Sequence, residues 1–92
     1  MEYFEWNEEK NKLLKLERDI GFEEVANAVD GGRLLDIIAH PNQKKHPNQK
    51  LFVVNIRNYV YLVPFVEDSK KYFLKTIFPS RKMTKKYLIE RG

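Results

Sequence analysis

The spacing of apolar residues changes period once along this chain, at Gly31-Gly32, and that change dictates the class of fold. Upstream, Leu13, Leu16 and Ile20, with Leu14 beside them, recur at helical spacing. Asn7 is the natural N-cap, and Glu8 and Glu9 suit the positive end of a helix dipole. Gly21 interrupts, and Phe22, Val25, Ala26 and Val29 then mark a second, short helix. Gly31-Gly32 ends it, because two successive residues lack the Cβ that restricts the backbone. Downstream, Leu34–Ile38, Leu51–Ile56, Tyr59–Val66 and Lys71–Phe78 read as strands, and Tyr3–Trp6 as a short opening strand. Pro79 stops the last run, Ser80 caps, and residues 81–89 form a closing helix. The expected fold is α+β. An antiparallel sheet of about four strands carries two N-terminal helices and one C-terminal helix on one face, leaving the other to water or a ligand.

Several joints are legible in detail. Arg57-Asn58 fits a two-residue hairpin turn, although it lacks glycine. Pro64 cannot donate to a ladder, so it calls for an edge, a bulge or pairing through its carbonyl alone. In Lys71–Phe78, alternation places Tyr72, Leu74, Thr76 and Phe78 on one face and Phe73, Lys75 and Ile77 on the other. Residues 40–50 repeat His-Pro-Asn-Gln-Lys, and prolines six apart make this a loop. Ninety-two residues support one hydrophobic core, hence one domain over 1–92.

Charge is distributed unevenly. Residues 1–39 hold five basic and ten acidic side chains, a balance of −5; residues 40–92 hold twelve basic and three acidic, a balance of +9. Such asymmetry points to a nucleic-acid surface on the second half, or to a solvated basic face. Cysteine is absent, which excludes disulfides, thiolate zinc and a thiol nucleophile. No Asp or Glu lies between Ile37 and Val66 to complete a metal site with His40 and His46, so no metal or other cofactor is expected. Ser69 and Ser80 are turn and cap residues, not nucleophiles. Histidine as a residue type titrates near neutrality and suits proton transfer, but the sequence shows no partner to fix a tautomer for His40 or His46. The longest apolar stretch, Tyr59–Val66, is too short to span a membrane, and Met1–Trp6 is too acidic for a secretory signal. A cytoplasmic location is expected.

The closing segment Ser80–Tyr87 breaks a local rule. Arg81 and Lys82 fall in a first helical turn, where a cation typically costs about 0.3–1 kcal/mol. A phosphate would explain the choice; so would pairing with the acidic first half. Lys75, mid-strand on an apolar face, either snorkels or lines a basic groove beside that helix, and Arg57 would extend the groove. Among the aromatics, Tyr87 and Tyr72 are the candidates for contact with a base.

Phe4-Glu5-Trp6-Asn7-Glu8-Glu9-Lys10, Gly21-Phe22-Glu23-Glu24-Val25, the strand pair, and the closing Ser80-Arg81-Lys82-Met83-Thr84-Lys85-Lys86-Tyr87 resemble the BrnT-type toxins of bacterial type II toxin–antitoxin systems. The resemblance spans nearly the whole chain. It implies a RelE-like fold and a metal-independent endoribonuclease that slows growth. It also implies a cognate antitoxin, usually a small ribbon-helix-helix protein, with DNA contacted only through the complex. The matching positions are Lys10, Arg81, Lys82 and Tyr87. Departures are Asn7 where relatives commonly have aspartate, Leu14 in place of asparagine, and Glu17-Arg18-Asp19 in place of Lys-His-Gly.

The expected chemistry is attack of a ribose 2′-OH on its own 3′ phosphate, which requires neither metal nor protein nucleophile. Arg81, with Lys82 or Lys86, would stabilise the phosphorane; Tyr87 or Lys75 would act as acid or base once burial or neighbouring cations lowered a pKa near 10. Arg57, Lys85, Lys86 and Lys10 would bind RNA. Two alternatives use the same surface: a non-enzymatic RNA- or DNA-binding module, and a structural partner protein.

Overall fold

A computed structural model describes residues 3–89. The fold is α+β, with the sheet order β1-β5-β4-β3-β2 and a short sixth strand also on β4. The strands are β1 (Tyr3–Trp6), β2 (Leu34–Ala39), β3 (Gln49–Ile56), β4 (Tyr59–Asp68), β5 (Lys71–Leu74) and β6 (Phe78–Pro79). Helix α1 (Glu8–Arg18) and helix α2 (Phe22–Asp30) join β1 to β2; helix α3 (Arg81–Thr84) continues into a π-helical turn, Lys85–Ile89. Pairing is antiparallel except where β1 lies parallel to β5.

The sheet therefore has six strands in place of the expected four, and its helices occupy both faces in place of one. On the first face α1 and α2 cover a core of Leu14, Ile20, Phe22, Val25, Phe52 and Phe65 with their neighbours. On the second face the C-terminal helix covers Leu51, Val53, Val60 and Leu62 through Met83, Tyr87 and Leu88. The reason lies in β3 and β4. Leu51–Val54 and Leu62–Phe65 are buried without interruption, so the central strands need cover on both sides.

Local chemistry explains most boundaries. The Asn7 side chain accepts from Lys10 N at 3.0 Å and starts α1. Arg57 and Asn58 both adopt positive φ, 57° and 65°, giving the I′-like turn whose twist suits a hairpin. The Ser80 hydroxyl accepts from Met83 N at 3.1 Å and starts α3.

Two expected patterns fail. In α1 the buried line is Asn11 and Leu14, whereas Leu13 is 50% and Leu16 84% exposed. The helix is rotated because Asn11 serves its neighbour: its Oδ1 accepts from Phe22 N at 2.7 Å, capping α2, and its amide donates to Glu23. The run Lys71–Phe78 is also not one strand. Leu74 pairs with Phe65 but Phe78 pairs with Leu62, so one extra residue is bulged into the β5–β6 side. Pro64 is opposite that bulge. Its carbonyl accepts from Lys75 N at 2.8 Å, and the irregularity falls where the proline has no N–H to offer. The bulge inverts the alternation, returning Ile77 to the core of Leu74 and sending Phe78 to the second face.

Candidate functional site

Thr84 fixes the C-terminal helix to the sheet. Its hydroxyl donates to Ser80 O at 2.7 Å and accepts from Val60 N at 2.9 Å, while Ser80 N donates to Val60 O. Thr84 thus extends the β4–β6 ladder by one bond, made by a side chain. Met83, Tyr87 and Leu88 turn inward onto the second core. Arg81, Lys82, Lys85 and Lys86 are left exposed, four cations within six residues. Among the described residues Arg81 and Lys82 have no ion-pair partner. The Lys86 ammonium lies 5.5 Å from the centroid of the Tyr87 ring.

Tyr87 is tied to β2. Its hydroxyl donates to Asp36 Oδ2 at 2.8 Å across 51 residues of sequence. This hydrogen bond, with burial and the carboxylate charge, raises the phenol pKa above its ordinary value. A neutral-pH base needs the opposite shift, so the lowering required of Tyr87 for that role is absent. Asp36 itself carried no signal in the sequence, because its only clue is a partner from a distant element.

Lys75 shares the second face with the helix. Val66 and Phe73 are direct cross-strand partners, as are Asp68 and Lys71, and Glu5 of β1 pairs with Phe73 on its other side. Lys71 bonds Glu5 at 3.2 Å, and the Lys75 ammonium lies 5.2 Å from the Phe73 ring centroid. Val66, Asp68, Phe73 and Lys75 line a hollow of about 320 Å³ beside the part of the face that the helix covers. Lys10 reaches the same neighbourhood from α1, lining with Leu13, Phe73 and Lys75 a second hollow of about 520 Å³.

Arg57 stands elsewhere. It bonds Glu24 at 2.6 Å and the carbonyl of Asp19 at 3.1 Å, pinning the hairpin to α2. The Glu24 hydrogen bond and charge raise its pKa further. Its guanidinium is committed to the acidic half and does not extend the basic groove. Tyr72, the other aromatic expected to meet a base, instead packs edge-on against Phe52 and Phe65 in the first core. Phe73, its neighbour on the strand, is the outward-facing ring, 37% exposed.

The histidines do have partners. Their rings lie 4.3 Å apart between centroids, and His40 Nδ1 accepts from Asn42 N at 3.0 Å, which places the proton of the neutral ring on Nε2. Burial, then the charge of His46, lowers the His40 pKa. The described residues contain no group of three or more His, Asp or Glu placed to hold a metal. No described helix is long and apolar enough to cross a membrane.

No family model, no curated protein and no solved structure matches the chain.

Proposed function

We propose that this chain is a cytoplasmic, BrnT-like toxin of RelE type that cleaves RNA without a metal and is neutralised by a small antitoxin. The observation that carries the proposal is the C-terminal helix. Four exposed cations stand over one sheet face, and Arg81 and Lys82 have no ion-pair partner among the described residues. Exposed cations of this density suit a polyanion, whose phosphates they neutralise with release of counterions. The order of elements and the closing Ser-Arg-Lys-x-Thr-Lys-Lys-Tyr block support the same family.

In the proposed reaction the ribose 2′-oxygen attacks phosphorus, the bond to the 5′ oxygen breaks, and a 2′,3′-cyclic phosphate and a 5′-hydroxyl result. Arg81 holds the phosphate bidentately while Lys82 or Lys86 offsets the added charge of the phosphorane. Tyr87 supplies the proton to the leaving oxygen only on releasing its hydrogen bond to Asp36, which in the free protein holds that proton more tightly than usual. The 2′-hydroxyl proton passes to solvent water, and Lys75 stands beside the phosphates as an ammonium. The antitoxin, proposed as a ribbon-helix-helix protein, presents carboxylates to the same helix and carries the complex to DNA.

Incubation of purified protein with RNA in EDTA tests this directly. Cyclic phosphate ends should accumulate in the wild type, and Arg81→Ala should abolish both cleavage and growth arrest. Normal cleavage by Arg81→Ala would remove the assignment of that residue. RNA binding with no cleavage under any condition would instead indicate a non-enzymatic nucleic-acid-binding module.

A further inference from the structure

On β5, residues two apart point the same way, so Lys71 and Phe73 share a face, and Lys75, just past the strand's end, joins them in a row with its ammonium 5.2 Å from the Phe73 ring centroid. The row lies on the face that carries the cationic helix, on the part the helix leaves open. An aromatic ring set between two lysines on an open sheet surface matches the repeat of a single-stranded nucleic acid. The ring offers a π-face to any base, and the flanking ammonium groups meet the adjoining phosphates. We propose that Phe73 is a stacking platform for one unpaired base of single-stranded RNA, with Lys71 and Lys75 taking the phosphates on either side. This deepens the RNA-cleaving function proposed above and rests on it.

The contacts of the free protein fit such a role. Lys75 covers the Phe73 ring from 5.2 Å, and Lys71 is held by Glu5 at 3.2 Å. Both are exposed, single-pair contacts of the kind that water and salt already weaken, so a phosphate competes for each ammonium. Moving Lys75 from ring to phosphate uncovers the ring for the base. The hollow beside Val66 and Asp68 is open to receive the base edge. Asp68 adds a carboxylate acceptor there, which favours a base presenting N–H donors over one presenting only carbonyls.

The probe is a short, fluorescently labelled single-stranded RNA made with 2′-O-methyl riboses, which cannot be cleaved by 2′-OH attack. It is titrated intact and with an abasic site walked along it. Wild type should lose roughly tenfold in affinity when the stacked base is removed. Phe73→Leu should bind the intact strand roughly tenfold more weakly and respond no further to the abasic site. Phe73→Tyr should retain wild-type behaviour, and unchanged melting temperatures show that the substitutions leave the fold intact. If Phe73→Leu binds like wild type while Arg81→Gln with Lys82→Gln weakens binding, the stacking site is overturned and the RNA function survives. If wild type fails to bind at low salt, both fall together.

Discussion

The helix pair α1–α2 and the C-terminal helix handle charge in opposite ways. On the face of α1 and α2, polar groups are matched to one another. Asn11 caps α2 and holds Glu23, Lys15 bonds Glu23 at 3.1 Å, and Arg57 bonds Glu24 at 2.6 Å. On the face of the C-terminal helix, Arg81 and Lys82 stand without an ion-pair partner among the described residues, over a smaller core. Matched polar groups and a deep core serve the fold, while unmatched like charges in a helix oppose it. The C-terminal helix gives up stability that an acidic first turn would have supplied.

That contrast can be broken at its strongest point first. Phe52→Ala empties the space against which Phe65 stacks at 3.8 Å and should cost about 3–5 kcal/mol in a denaturant titration. Leu62→Ala on the second face, at the solvent edge of the smaller cluster, should cost about 2–3 kcal/mol. Equal losses would mean that the two cores are energetically alike. Asn11→Ala strands Phe22 N and removes the amide from Glu23, for a cost of about 2 kcal/mol and a visibly less helical far-ultraviolet spectrum.

Smaller effects sharpen the difference. Arg81→Glu with Lys82→Glu should leave the melting temperature unchanged or raise it slightly, because carboxylates suit a first helical turn. RNA affinity should fall, and its dependence on log salt should flatten by about two phosphate contacts' worth. A marked loss of stability would show that these cations serve the fold after all. Acid should act on the first face and on the histidine loop. Burial opposes the charged form of Glu23, but Asn11, its own backbone and Lys15 outweigh it and hold the carboxyl below its ordinary 4.5. The stability this contributes is present above that value and is lost as pH falls through the lowered one. His40, lowered from 6.5 by burial and by His46, likewise favours the folded loop while neutral. Protection factors against amide exchange over residues 42–49, with the intrinsic pH dependence of exchange divided out, should therefore fall as pH drops below about 6.5 and further through the depressed value. Exchange in the C-terminal helix should not follow it.

Much of the local structure was legible in the sequence. Asn7, Gly21, Gly31-Gly32, Arg57-Asn58 and Ser80 each act through atoms a few residues away, so composition and spacing sufficed to place the turns and helix starts. The candidate site was legible only in part. Arg81, Lys82, Lys85 and Lys86 stand out because a basic run in one helix is visible in the sequence itself. Phe73 carried a usable signal, since alternation put it on the side of Lys75, but abundant aromatics in a small domain argued for the core. Asp36 carried none.

What the sequence by itself determined, then, is the α+β class, most of the elements and their order, and the uneven charge along the chain; it did not divide Lys71–Phe78 into two strands. Only the tertiary structure decided which surfaces are covered. A period of 3.6 or 2 sorts side chains into faces but does not say which face meets a partner. Leu13 and Leu16 were left outside because the α2 N-terminus demanded Asn11. One bulged residue opposite Pro64 exchanged the faces of Ile77 and Phe78. Arg57 went to Glu24 and Tyr87 to Asp36, across 33 and 51 residues. Each choice depends on contacts between distant segments, and these exist only once the chain has closed on itself.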